Sequence, residues 1–269
     1  MGTGKANKTQ RAAVRAAMLC IAAAGGCTND LGPQAVQLLE SGKAAVQAGD
    51  AAAGRRDLDA FLKDHSESRL AGEAYCYRAK ARLALGDRAG ARADFTQAAG
   101  LLQDKMLAAQ SLLALCAMAE EDSDLPAAER MARQAVERLD LGQKPADEAL
   151  WRLGCLLQKL GRWEEADTRL DRLIYLFPDT PQAHDATKRV RSTAWTIRLA
   201  VLPDRPAAAA EAQRLARQHG LAASVREDLV DGRLVFRVEA DRYATYEQAV
   251  AALPAARART PDAAVVPTR

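Results

Sequence analysis

The sequence predicts a two-domain chain, an α-solenoid followed by a small α/β domain in which strands and helices follow the order β-α-β-β-α-β. Three observations predict it. Helical patterning punctuated by a recurring glycine-centred turn runs over 34–192. Period-two alternation then begins at Trp195-Thr196-Ile197-Arg198-Leu199-Ala200-Val201, and it returns at Leu234-Val235-Phe236-Arg237-Val238-Glu239-Ala240. A switch from helical to strand periodicity marks a second fold class and so a second domain, 193–269.

The 269 residues suffice for two cores. Hydrophobic residues make up 49% but aromatics only 4%, so those cores are built from Leu and Ala on closely packed helices. The 38 basic and 35 acidic residues leave a net charge of +3, too balanced for a nucleic-acid partner.

Residues 1–27 read as a targeting segment. Lys5, Lys8, Arg11 and Arg15 precede a short apolar run, and Ala24-Gly25-Gly26-Cys27 closes it. This resembles a bacterial lipoprotein signal. The resemblance implies a lipid on Cys27, which becomes the first residue of a protein on the periplasmic side of the cell envelope, held at the outer or inner membrane. Position 24 usually carries Leu, Val or Ile and is Ala here; a plain secretory signal cleaved after Ala22-Ala23-Ala24 and a cytosolic protein with an Ala-rich start are the alternatives. The run is too short to span a bilayer, and no later segment reaches the ~18 continuous apolar residues of a membrane span, so membrane attachment is expected through Cys27 only. Beyond the signal, Cys76, Cys116 and Cys155 are 40 and 39 residues apart, which matches no metal motif. They read as small buried apolar residues, and no metal or cofactor is expected.

Leu160-Gly161-Arg162-Trp163-Glu164-Glu165-Ala166 is echoed by Leu85-Gly86-Asp87-Arg88-Ala89-Gly90-Ala91, by Ala48-Gly49-Asp50, and more loosely by 121–128. A period near 37 residues means stacked helix pairs, with Gly closing each first helix in the left-handed conformation. The last copy is similar to the tetratricopeptide repeat, with Leu150, Leu153, Gly154, Leu157, Gly161, Trp163, Ala166, Leu170, Leu173 and Pro178 at signature positions. The resemblance implies close helix approach at Gly154 and Ala166, and closure of the unit at Pro178. The second copy keeps Tyr75, Ala79, Gly86, Ala91, Phe95 and Ala98 but has Arg78 and Arg82 at usually apolar places. Phe177-Pro178-Asp179-Thr180-Pro181-Gln182-Ala183 resembles the repeat joints of periplasmic members associated with envelope assembly.

Such an array has no chemistry of its own; its concave surface holds protein partners. Arg78, Arg82, Arg152 and Lys159, on first helices, are the candidate lining of that surface, or simply a solvated face. Trp151 and Trp163 read as packing residues. The basic segment 182–193 supplies the polar capping helix a terminal repeat needs. With no Pro/Gly-rich linker before Trp195, the tail is expected to sit against the array.

In the tail, 195–201 is a strand with Ile197, Leu199 and Val201 on one face and Thr196, Arg198 and Ala200 on the other. Pro206 starts a helix over 207–218 that ends at Gly220. Residues 221–227 form a second strand, Asp231-Gly232 a hairpin turn, and 233–240 a third strand. Thr245 caps a second helix, and 263–266 returns as a fourth strand. The order is a split βαβ, ferredoxin-like, with both helices on one side and the other sheet face open.

With Trp195, Ile197, Leu199 and Val201 in the first strand and Arg237, Val238, Ala240 and Tyr243 in the third, this tail is similar to the SPOR (sporulation-related repeat) family. The resemblance implies binding of peptidoglycan, in particular septal glycan strands stripped of stem peptides, on the open sheet face. Thr196, Arg198, Ala200, Val235, Arg237 and Glu239 are then the candidate glycan contacts, while Leu234, Phe236, Val238 and Ala240 face the helices. The family's first-strand Gln is Arg198 here, which only donates where Gln both donates and accepts. Arg237 has a second role open to it, as a cross-strand partner of Glu239 or Glu227.

No enzyme is expected. His65, His184 and His219 lie beside no nucleophile and in no ligand spacing, and the Asp and Glu residues fall on amphipathic helices or turns. Two functions remain. One is a lipid-tethered envelope protein whose tail reads glycan while the repeats recruit division or wall-remodelling proteins. The other is a protein-interaction scaffold for envelope assembly whose tail has lost glycan affinity.

Overall fold

The structure, a computed structural model, describes residues 31–269 apart from Leu221 and Asp231. Cys27 and the targeting segment lie outside the described residues, as does the first residue of the expected hairpin turn.

Four helix pairs and a capping helix form the first region: α1 (Pro33–Gln47) with α2 (Ala51–His65), α3 (Ala71–Ala84) with α4 (Arg88–Leu101), α5 (Lys105–Glu121) with α6 (Leu125–Arg138), α7 (Ala146–Lys159) with α8 (Trp163–Leu176), then α9 (Pro181–Arg189). Each turn inside a pair is built the same way. Gly49, Gly86 and Gly161 take φ of +89°, +81° and +74°. The next backbone N–H reaches back five residues, as from Asp87 to Arg82 O at 2.8 Å, which is the Schellman closure. Asp50 and Asp87 then cap the second helix by accepting the backbone N–H of Ala53 and Gly90, each at 2.9 Å.

The loosely matching third copy keeps this geometry with different residues. Ser123 stands 37 residues after Gly86 and takes φ +60°, a conformation that costs a non-glycine residue ~1–2 kcal/mol. Asp124 caps α6 through the N–H of Ala127 at 2.9 Å. The fourth pair departs instead at the cap, where Arg162 makes no side-chain cap bond.

Small residues set the helix spacing. A Cβ on Gly154 would fall 2.5 Å from Leu170 Cδ2, and one on Gly42 2.7 Å from Leu58 Cγ. Leu150, Leu153, Leu157, Ala166, Leu170 and Leu173 are fully buried around that approach in the last pair.

The tail runs β1 (Ala194–Leu202), α10 (Arg205–His219), β2 (Ser224–Val230), β3 (Arg233–Tyr243), α11 (Tyr246–Arg257) and β4 (Ala264–Thr268). The four strands form one antiparallel sheet in the order β2-β3-β1-β4. That is the expected split arrangement. β2 is placed three residues later than the sequence pattern suggests, because Val230 pairs with Arg233 and the strand runs right up to the two-residue turn, where Gly232 has φ +74°. Asp204 and a Thr245–Gln248 capping box start the two helices, and Gly220 at φ +63° ends the first. Ile197, Leu199, Phe236 and Val238 meet Ala208, Ala212, Leu215 and Ala256 in a separate core.

The two regions are bolted together at Trp195. It is 2% exposed and lies between the Trp163 ring of α8, 5.6 Å away, and the Tyr246 ring of α11, 4.9 Å away. Lys159 Nζ sits 5.4 Å over Tyr246. The connector is held as well: Arg191 N–H bonds Asp167 at 3.0 Å and Thr193 N–H bonds Thr268 O at 2.9 Å.

Candidate ligand-binding cleft

The first strand does not alternate through its whole length. Thr196 pairs with Arg242, Arg198 with Glu239, and Ala200 with Val238, so the register shifts on both sides of Arg198. Two residues of β1 then oppose one of β3 between Arg198 and Ala200, the signature of a bulge. Its consequence is a change of face. Ala200 packs with the tail core, and Val201, expected inside, is 45% exposed and lines a cavity beside Arg198. Ala200 is therefore removed from the candidate contacts and Val201 takes its place.

Nor is the outer sheet face open. α9, the cap of the array, lies over it, and two adjoining cavities of about 560 and 270 Å³ fill the space between them. Both are lined by Lys188 of α9 and by Asp228, Arg237 and Pro267 of the sheet. Together they are the size of a small-ligand site. α9 is fixed from behind, where fully buried Gln158 donates to Arg189 O at 3.0 Å and accepts from the Arg189 guanidinium at 3.2 Å.

The cleft sorts the remaining candidates. Thr196 is buried, its hydroxyl donating to Ala240 O at 3.1 Å. Glu239 is only 2% exposed and carries Arg226 Nε at 3.3 Å and Arg237 Nε at 3.2 Å, with the Thr268 hydroxyl at 3.4 Å. Neither can face a ligand as expected; both are held inside the sheet's own polar network. Arg237 is tied to Glu239 and, at 3.4 Å, to Asp228 rather than Glu227, yet its side chain still lines both cavities. Val235 is half-buried and lines neither cavity. Leu234, expected against the helices, is 52% exposed near the hairpin tip opposite Leu229 and borders the larger cavity. Arg198 is different. It lines the smaller cavity, half-buried, and among the described residues it has no hydrogen-bond or ion-pair partner.

The array's four candidate cations all have partners within the chain. Arg78 makes a two-pronged bond to Asp94 at 2.8 and 2.8 Å and a third to Asp59 at 2.8 Å. Burial alone would lower its guanidinium, but the Asp94 and Asp59 carboxylates outweigh burial and push it up. Arg82 reaches Asp94 at 3.0 Å and Gly90 O at 3.2 Å. Arg152 and Lys159 share Glu120 at 2.8 and 3.3 Å. Asp94, almost fully buried, is the missed residue that explains why two arginines occupy usually apolar positions.

Cys76 and Cys116 are buried, and Cys155 nearly so, each on the first helix of a pair. Burial, reinforced by the Glu120 carboxylate, pushes the Cys116 thiol up to about 12, so it is a poor nucleophile at neutral pH. Among the described residues no group of three His, Cys, Asp or Glu side chains is placed to hold a metal ion, and no helix is long and apolar enough to cross a membrane.

Comparison with known proteins bears on the array. Residues 148–180 match the tetratricopeptide repeat family model. Among solved structures, the chain is similar to the MamA protein (17% identity over 58% of this chain and 80% of that one, TM-score 0.47). It is similar also to a tetratricopeptide repeat protein from Parabacteroides merdae (16% identity, 58% of each chain, TM-score 0.49). The search of curated proteins found no match. The matched segment coincides with the pair α7–α8 and its closing proline, and so this chain carries a tetratricopeptide repeat as the last full unit of its helical array.

Proposed function

We propose that the protein is a non-catalytic component of the bacterial cell envelope that holds a peptidoglycan strand in the cleft between α9 and the sheet, while its tetratricopeptide array recruits a protein partner. The observation that carries this reading is Arg198. A half-buried arginine with no acceptor among the described residues, set in a cleft on the sheet face of a split βαβ domain, is a group prepared for a polar ligand. The resemblance of the tail to SPOR domains supports stem-peptide-free septal glycan as that ligand, and the resemblance of the segment ending at Cys27 to a lipoprotein signal supports a periplasmic position with a lipid tether. Co-sedimentation of the full chain with amidase-treated sacculi tests it. Retention that Arg198→Ala reduces at least tenfold is the expected result, and absence of retention by the unmodified chain sinks it.

A second reading has its own support: the protein is an interaction scaffold of envelope assembly with no glycan affinity. The burial of Thr196 and Glu239 and the position of α9 over the sheet favour it. Under this reading the chain stays in the supernatant, and the array alone accounts for its partners.

A further inference from the structure

We propose that Arg198 is a carboxylate-reading subsite, so that the cleft selects an acidic glycan over a neutral one; the inference rests on the glycan reading above. Four cations line the smaller cavity, and three are engaged in a hydrogen bond or an ion pair. Lys188 is 3.1 Å from Asp185, Arg189 bonds Gln158, and Arg237 is shared by Asp228 and Glu239. Only Arg198 is left without one among the described residues. Arg198 is half-buried at the wall of this cavity with no partner among the described residues, and its planar fork matches the two oxygens of a carboxylate. In so sheltered a place such a pair is stronger than on an open surface.

The surroundings fit a sugar better than a peptide. Val201, Val230, Val266 and Pro267 give Arg198 a low apolar wall suited to the C–H face of a pyranose. The cavities run along the face of the sheet between β2 and β4, not along an edge where a peptide strand could add its backbone hydrogen bonds. Chemistry supplies the carboxylate. Hydrolysing the stem peptide from a glycan strand frees the lactyl carboxyl group on every second sugar, so the strand that lacks peptides is the strand that carries a carboxylate on the sugar itself. Arg198 thus reads the consequence of peptide removal directly, where a glutamine would offer the same hydrogen bonds to charged and uncharged forms.

The test uses the full chain and three soluble glycans: oligomers from amidase-treated peptidoglycan, the same oligomers with their carboxyl groups converted to methylamides, and neutral N-acetylglucosamine oligomers. Calorimetric titration should give at least a tenfold tighter Kd for the free carboxylates than for the methylamides, with the margin shrinking as salt rises. In Arg198→Gln, checked by an unchanged thermal midpoint, the two affinities should converge to within about twofold. Equal binding of all three glycans by the unmodified chain overturns the carboxylate subsite while leaving glycan binding standing. Binding of none overturns both.

Discussion

The helical array and the tail solve the same problem, ordering a chain with few aromatic residues, in opposite ways. In the array the contacts run within a helix pair or to the next one. Gly86 turns the chain, Asp87 caps the next helix, and Arg78 meets Asp94 sixteen residues on. Stability is thereby spread over many similar units, as expected of a stacked repeat. The tail depends on distant pairings, Thr193 with Thr268 and Trp195 with Tyr243, and on a joint centred on one tryptophan. The lesson is that the array should tolerate local damage and the tail should not.

The most severe challenge to that contrast is Trp195→Ala. Losing a fully buried tryptophan should cost ~3–5 kcal/mol, and calorimetry should show one transition resolving into two as the tail uncouples from the array. A single unshifted transition would mean that the joint carries nothing. Next is Asp94→Ala, which leaves Arg78 with Asp59 as its remaining close carboxylate and takes from Arg82 its 3.0 Å partner at the α3–α4 contact. A loss of roughly 3 kcal/mol in urea unfolding is expected, with partial recovery on adding Arg78→Met, because the penalty lies in the uncompensated charge. Gly154→Ala should cost ~1–3 kcal/mol by forcing Leu170 out of place, and the same substitution at exposed Gly100, whose Cβ would meet nothing, should cost far less. The smallest effect belongs to Arg198→Ala. With no partner to lose among the described residues, it should move stability by less than ~0.5 kcal/mol while reducing glycan retention at least tenfold. A large destabilisation there would reveal a structural role and refute its assignment to the ligand.

The architecture was readable wherever its cause is local. Glycine turns, the strand alternation and the capping helix all announce themselves within a few residues. The third turn was harder only because Ser123 does the work of a glycine. What stayed hidden depends on pairings that local pattern does not encode: the partner of Arg78 and Arg82, the shelter that α9 gives the sheet face, and the burial of Glu239. One clue was present and passed over. The unbroken apolar run Leu199-Ala200-Val201-Leu202 cannot alternate, and it marks the bulge that trades Ala200 for Val201 at the site.

The seat of α9 has a consequence for how such a protein can change. Because this helix closes the array on one side and walls the cleft on the other, the two regions do not have equal freedom to grow. Helix pairs could be added or lost ahead of α7 without disturbing the cleft. An insertion anywhere between α8 and β1 would move the wall away from its sheet. The last repeat is therefore the part whose spacing to the tail is fixed, and length variation belongs at the other end.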